Sequence, residues 1–225
     1  MDITNSVVVV TGANRGLGRQ FARQLLARGA KVYAAARNPE SIDLPGAIPL
    51  QLDVTDPASI ERAAKAAPDA TFLINNAGSS TGQTLIAGDL GQIRLEMETH
   101  YFGTLQVTRA FAPVIEGNGG GAVLNVLSVL SWAHPGAIGA YSGAKAAAWG
   151  QTDAVRDELA PKGIAVSALH VGYMDTDMAA HVPADQKTDP AIVAEIALNG
   201  VADGQAEIIA DDFTRSVKSN LSAVR

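Results

Sequence analysis

Tyr141 and Lys145 stand four residues apart in AYSGAKAAAWG (140–150), a stretch of small residues that favour helix. Residues four apart are neighbours on one helix face. An ammonium beside a phenol favours the phenolate and draws its pKa down from about 10. A tyrosine so placed trades protons near neutral pH. The same spacing also arises where two surface residues merely touch, so the pair alone leaves both readings open.

Such a helix needs a frame to carry it. The chain alternates short β-branched runs with helical stretches. Val7–Val10 is a continuous apolar run, as expected of a strand buried on both faces. Further strands are expected at 30–36, 47–54, 71–75, 121–128, 164–171 and 206–210, seven in all. Helices are expected at 17–28, 56–68, about 90–116, 140–160 and 189–202. Two of them open on Asp-Pro, an N-cap followed by proline at the first helical position. This alternation predicts an α/β fold, a doubly wound and mostly parallel sheet with helices on both faces. There is no linker and no low-complexity segment, so residues 1–225 are expected to form a single domain. Ligands in such sheets bind at the carboxyl ends of the strands.

Composition narrows the partners. The net charge is −6 with no block of like charges, which argues against nucleic acid or an anionic membrane. There is no cysteine, which removes disulfides, thiolate catalysis and cysteine metal sites. The histidines show no metal-ligand spacing; His134 reads as pocket lining, His170 as a strand end and His181 as loop. The start MDITNSVVVVTG lacks a basic segment followed by a long apolar core, and no run reaches membrane-spanning length. A soluble, cytoplasmic protein is expected.

After the first strand comes TGANRGLGR, with Gly12, Gly16 and Gly18 in the spacing G-x3-G-x-G. Glycines let the chain turn tightly and let a phosphate approach the backbone, while the following helix offers free N–H groups. A tight turn without ligand has the same look. Where the second strand ends, an NAD site commonly places an acid for the ribose 2′-hydroxyl. Here Ala36 is followed by Arg37, and Arg15 lies in the glycine loop. Two guanidiniums without a carboxylate suit a 2′-phosphate, so NADP(H) is the expected cofactor.

The chain resembles the short-chain dehydrogenase/reductase family across nearly its full length. The matching pieces are TGANRGLG (11–18), LDVTD (52–56), NNAG (75–78), Ser128 and YSGAK (141–145). Ser128 precedes Tyr141 by thirteen positions, the family spacing for a catalytic serine, with Ser131 the competing candidate. The resemblance implies a Rossmann-type domain and reversible hydride transfer between a nicotinamide cofactor and a carbonyl or alcohol. It makes Tyr141 the general acid or base, with Lys145 lowering its pKa and binding the nicotinamide ribose. Ser128 becomes the donor to the substrate oxygen. Gly12, Asn14, Arg15, Gly16, Leu17 and Gly18 become the phosphate turn. Asp53 and Val54 face adenine; Asn76, Ala77 and Gly78 line the ribose side; Gly172 and Thr176 face the nicotinamide. Asn75 reads equally as structural or cofactor-directed.

Two departures stand out. Three positions before Gly103 the family carries an asparagine that holds a relay water; here His100 occupies the place. Neutral histidine has a donor and an acceptor and titrates near physiological pH. It can hold that water, carry the proton itself, displace the water by its bulk, or serve only as a structural bond. After the sixth strand the family reads Pro-Gly; this chain reads Val171-Gly172, which predicts a looser loop.

The segment between Thr176 and Asp189, where the family places its substrate lid, is short, so an open pocket is expected. Trp132, Pro135, Ile138, Tyr173 and Met174 predict apolar walls and a hydrophobic ketone or aldehyde substrate. The resemblance also implies a homodimer or homotetramer. The expected activity is that of an NADP(H)-dependent carbonyl reductase or alcohol dehydrogenase. A catalytically weakened NADP(H)-binding sensor or scaffold is the alternative. A sugar-nucleotide epimerase is disfavoured by the lack of a second substrate lobe.

Overall fold

In the computed structural model, residues 1–221 are described. Seven strands form one sheet: β1 (Val7–Thr11), β2 (Lys31–Ala36), β3 (Ile48–Gln51), β4 (Phe72–Asn75), β5 (Gly121–Val126), β6 (Ile164–His170) and β7 (Glu207–Ile209). Their order is β3-β2-β1-β4-β5-β6-β7. Every pair is parallel, where the sequence predicts a mostly parallel sheet. The order reverses between β1 and β4, which opens a crevice at their carboxyl ends.

The period-2 alternation of strands sends neighbouring valines to opposite faces. Val8 and Val10 pack with Phe21, Leu25 and Leu198 on one face. Val9 packs with Leu73, Phe111 and Ile115 on the other. Because both faces are covered, the whole run is apolar rather than alternating. The first face is closed by α1 (Gly16–Ala27) and α6 (Pro190–Ala202). The second is closed by α2 (Pro57–Ala66), α4 (Thr104–Gly117) and α5 (Gly139–Leu159). Asp56 caps α2 through Ala58 N and Asp189 caps α6 through Ala191 N, as their Asp-Pro starts predict.

The helix expected over 90–116 is in three parts: α3 (Leu90–Met97), a π-helical turn (Glu98–Gly103) and α4. Such wide turns gather at functional sites, and this one carries His100. Four strands stop short of their expected ends, at Gln51, Val126, His170 and Ile209; after the first three the chain leaves the ladder to wall the crevice. A short helix the sequence reading lacked, α7 (Asp212–Ser219), follows β7.

Beneath the crevice lies a buried polar chain. Asn75 Nδ2 donates to Thr108 Oγ1 at 3.0 Å and to Asn125 Oδ1 at 2.9 Å. Asn125 Nδ2 in turn donates to Thr152 Oγ1 at 3.0 Å. These bonds tie β4 and β5 to α4 and α5, so Asn75 is structural. Among the described residues no helix is long and apolar enough to cross a membrane.

Candidate active site

The carboxyl ends of the strands enclose a cavity of about 1650 Å³ that crosses the switch point. Of the expected site residues, all but Gly18 lie on its wall. A Cβ at Gly18 would sit 2.2 Å from the Gly12 carbonyl oxygen. That glycine lets the helix pack against the turn and does not itself face the cavity. Gly12 and Gly16 have φ of +66° and +53°, backbone that favours glycine, and form the turn itself.

The start of α1 is uncapped: Arg15 at the N-cap makes no side-chain bond to the helix, and the first turn has no acid. Its free N–H groups and positive dipole end fit a phosphate. Asn14, Gly16 and Leu17 border them. Arg15 pairs with Asp177 at 3.0 Å; both side chains are largely exposed, so the pair is weak. Arg37 stands exposed on the wall where β2 ends.

Asp53 Oδ1 accepts from Thr55 N at 2.9 Å and Thr55 Oγ1 at 2.8 Å, which fixes the turn that brings Val54 to the wall. Asn76 Nδ2 donates to the carbonyls of Thr11 and Gly12 at 2.9 and 3.2 Å. Thr11 Oγ1 accepts from both Asn76 N and Ala77 N at 2.9 Å. Thr11, which opens the TGANRGLG motif but had no role of its own in the sequence reading, thereby joins the β1 and β4 turns. Thr176 meets the glycine turn from the far side: a Cβ at Gly16 would lie 3.3 Å from its methyl.

Ser128, Tyr141, Lys145 and His100 converge on the same wall. Ser128 Oγ accepts from Leu130 N at 3.1 Å, which leaves its proton to donate. Ser131 is 2% exposed and off the cavity wall, whereas Ser128 lines it. Lys145 Nζ donates to the Val126 carbonyl at 2.9 Å and lies 5.6 Å from the Tyr141 ring centre.

The expected lowering of the Tyr141 pKa is reversed here. Burial pushes the phenol well above its usual value, with the Glu96 charge adding and the Ser128 hydroxyl opposing. Burial also lowers Lys145 to about 8. The low-dielectric wall outweighs an ammonium that is itself directed to a carbonyl.

His100 is 3% exposed, and its ring stands edge-on to Tyr141 with centroids 5.1 Å apart. Its Nε2 lies 2.8 Å from the Ser79 carbonyl and 3.2 Å from Glu96 Oε2. Glu96 is fully buried, and its other oxygen accepts from Thr81 N. Burial lowers the His100 pKa, with Lys145 assisting and Glu96 opposing. For Glu96, burial acts upward, but His100 and the Thr81 N–H outweigh it and hold the carboxyl below its usual range.

The loop after β6, which the missing proline predicts to be looser, carries hydrogen bonds at both ends. Val129 N donates to the Val171 carbonyl at 3.0 Å. Gly172 N donates to Asp211 Oδ2 at 2.8 Å. Thr188 N donates to the Tyr173 carbonyl at 2.9 Å, and Asp175 N to the Thr188 carbonyl at 3.0 Å. Tyr173 and Met174 therefore stand on the wall beside Ile138. Trp132 is 5% exposed and packs mainly inward, so it offers the cavity less surface than its type suggests.

The model of the short chain dehydrogenase family matches residues 6–187. This chain belongs to that family, whose members are oxidoreductases. It is 30% identical over 197 residues to the 3-oxoacyl-[acyl-carrier-protein] reductase FabG of Escherichia coli K12, covering 83% of this chain and 81% of that protein. A short chain dehydrogenase from Burkholderia cenocepacia J2315, solved in complex with NADP, is 38% identical with a TM-score of 0.95. That match covers 99% of this chain and 95% of the other. A short-chain dehydrogenase from Streptomyces avermitilis aligns at 26% identity and TM-score 0.89, covering 98% and 94%.

Proposed function

We propose that this protein is an NADP(H)-dependent carbonyl reductase, run in reverse as an alcohol dehydrogenase, with residues 1–225 forming its one domain. The observation that carries the reading is the convergence of Ser128, Tyr141 and Lys145 on the cavity wall that also holds the uncapped start of α1. The uncapped N–H groups hold the pyrophosphate, and Arg37, with Arg15, holds the 2′-phosphate. Asp53, Val54 and the 76–78 turn flank the adenosine side, and Gly172 and Thr176 the nicotinamide side. Bound there, NADPH supplies the hydride.

The remaining steps belong to the chain. Ser128 Oγ–H donates to the substrate oxygen and steadies the charge that gathers on it. Tyr141 gives that oxygen its proton in reduction and takes it back in oxidation. Lys145 holds the cofactor ribose and supports the tyrosinate. Tyr141 is restored through His100, which stands where the family's relay asparagine is found.

The walls at Ile138, Tyr173 and Met174 suit a hydrophobic ketone or aldehyde, and the likeness to a 3-oxoacyl reductase adds β-keto thioesters to the candidates. The protein is read as cytoplasmic and as a homodimer or homotetramer. His100 and Val171, which stand where the family carries asparagine and proline, favour a second reading, a weakened NADP(H)-binding sensor or scaffold.

NADPH and NADH oxidation against hydrophobic ketones, aldehydes and a β-keto thioester tests both. The reductase reading expects NADPH-dependent turnover that Tyr141→Phe abolishes while NADPH binding persists. Binding without turnover by wild type or His100→Asn supports the sensor.

A further inference from the structure

Glu96 is the one fully buried carboxylate among the described residues, at 0% exposure, and no step above uses it. An ionised carboxylate buried to that depth survives only where partners compensate its lost hydration. Its partners are the Thr81 N–H and the His100 imidazole one helical turn on. Those two contacts join α3, the π-helical turn and the loop after β4.

The contacts also fix which nitrogen of His100 carries hydrogen. The Ser79 carbonyl, 2.8 Å from Nε2, can only accept, and so can the carboxylate oxygen at 3.2 Å. The Ser79 carbonyl takes the Nε2 hydrogen, and the Glu96 oxygen, outside hydrogen-bond geometry, favours that form through its charge. The Ser79 N–H also approaches Nε2, at 3.4 Å, and is the weaker contact. With Nε2 protonated, the neutral ring has its lone pair on Nδ1.

We infer that Glu96 is a positioning residue for proton transfer: it locks His100 in the Nε2–H form so that Nδ1 is the atom that exchanges protons on the Tyr141 side. The inference rests on the reading of Tyr141 as acid and base. A proton arriving from solvent adds to Nδ1 and makes an imidazolium whose charge the Glu96 carboxylate balances. The same proton then leaves Nδ1 toward the Tyr141–Lys145 pair, and Nε2–H is never broken. The charged groups facing this ring are Glu96 from its own helix and Lys145 from α5. Tyr141 faces it from α5, and Tyr173 acts on Tyr141 from the loop after β6. Gly78 completes the seat, since a Cβ there would lie 2.8 Å from His100 Cε1.

Nitrogen NMR of the histidine-labelled full chain tests this without any substrate. The sequence has 4 histidines, and the signal missing from His100→Asn identifies the one of interest. Wild type is expected to show the Nε2–H form. Glu96→Gln, which keeps shape and an acceptor for Thr81 N, is expected to lower the His100 pKa by about one unit or more. An Nδ1–H form in wild type, or an unchanged pKa in Glu96→Gln, overturns the inference.

Kinetics on the ketone that wild type reduces fastest give the second arm. Glu96→Gln is expected to lower kcat on the order of tenfold, part of the roughly 10²–10⁴-fold that general acid–base catalysis supplies. KM for NADPH should hold. In the His100→Asn background the same change should alter kcat less than about twofold, as expected when the effect passes through His100. Equal losses in both backgrounds would make Glu96 merely structural and overturn the inference. Turnover surviving Tyr141→Phe would instead overturn the reading of the site and leave the NMR result to decide Glu96.

Discussion

The His170 imidazole lies flat against the Trp132 indole, with ring centroids 3.9 Å apart and planes 18° apart. Its Nδ1 is 3.3 Å from the Ser128 carbonyl, and Trp149 closes the far edge. Burial brings its pKa down to about 4, although the Ser128 carbonyl opposes the shift.

The folded-state value lies below the ordinary 6.5, so the unfolded chain takes up the proton first as pH falls. The stability tied to the neutral ring is complete above that value and is lost between about 6.5 and about 4. At most about 3 kcal/mol is at stake. His170→Phe keeps the stack and removes the titration. Melting curves from pH 7 to pH 4 should show a shallower acid limb for the variant. Parallel limbs would refute this account.

Lys145 shows the opposite balance between stability and chemistry. Its pKa of about 8 lies below the usual 10.5, so the buried ammonium is a strain at neutral pH. Through the window from 8 to 10.5 the unfolded chain holds more protons, and stability rises with pH. Lys145→Met should abolish turnover yet melt higher than wild type at pH 7, by up to about 3 kcal/mol. The advantage should shrink as pH approaches 10. Calorimetry at both pH values decides it, and a variant that melts lower at pH 7 contradicts the argument.

Arg37 and Arg15 should not contribute equally to cofactor choice. Arg15 already has Asp177 at 3.0 Å. Arg37→Ala is expected to weaken NADPH binding about 10- to 100-fold, the worth of a charged hydrogen bond, and to leave NADH within about twofold. Arg15→Ala should cost less. Fluorescence titration with both cofactors reads the difference, and an equal loss for NADH and NADPH would count against the 2′-phosphate assignment.

Asp211 supports the wall from outside it. Its carboxylate accepts from Gly172 N at 2.8 Å, Thr214 N at 2.7 Å and Thr214 Oγ1 at 2.8 Å. Asp211→Ala uncaps α7 and frees the loop after β6 together, for about 2 kcal/mol. Because Phe213 lies beside Gly172 on the cavity wall, KM for the carbonyl should rise more than KM for NADPH. The reverse order would show that Asp211 acts chiefly through Gly172 on the nicotinamide and not through the substrate wall at Phe213.

The frame was readable because its signals are local. Val7–Val10 announces a strand covered on both faces, and Asp56-Pro57 and Asp189-Pro190 announce helix starts. What escaped depends on distant partners. Glu96 in RLEMETHYF looks like any surface acid, and only the loop after β4 and α5 bury it. The pKa of Tyr141 could not follow from a four-residue spacing, because the burial that dominates it comes from the whole wall. Short, polar α7 hides in DDFTRSVKS, although Asp211 followed by Phe213 and Val217, four apart, was a signal within reach.

The π-helical turn at Glu98–Gly103 has a consequence in phase. His100 and Val107 are seven residues apart, and an unbroken α-helix would bring them to nearly one azimuth. The wide turn takes up about one extra residue, which offsets the two stretches by about 100°. His100, with Glu96 against it, can then face Tyr141 while Val107, Phe111 and Ile115 face the sheet. One continuous rod thus serves two bearings, and the packing stripe is free to drift in sequence without swinging the imidazole off its target.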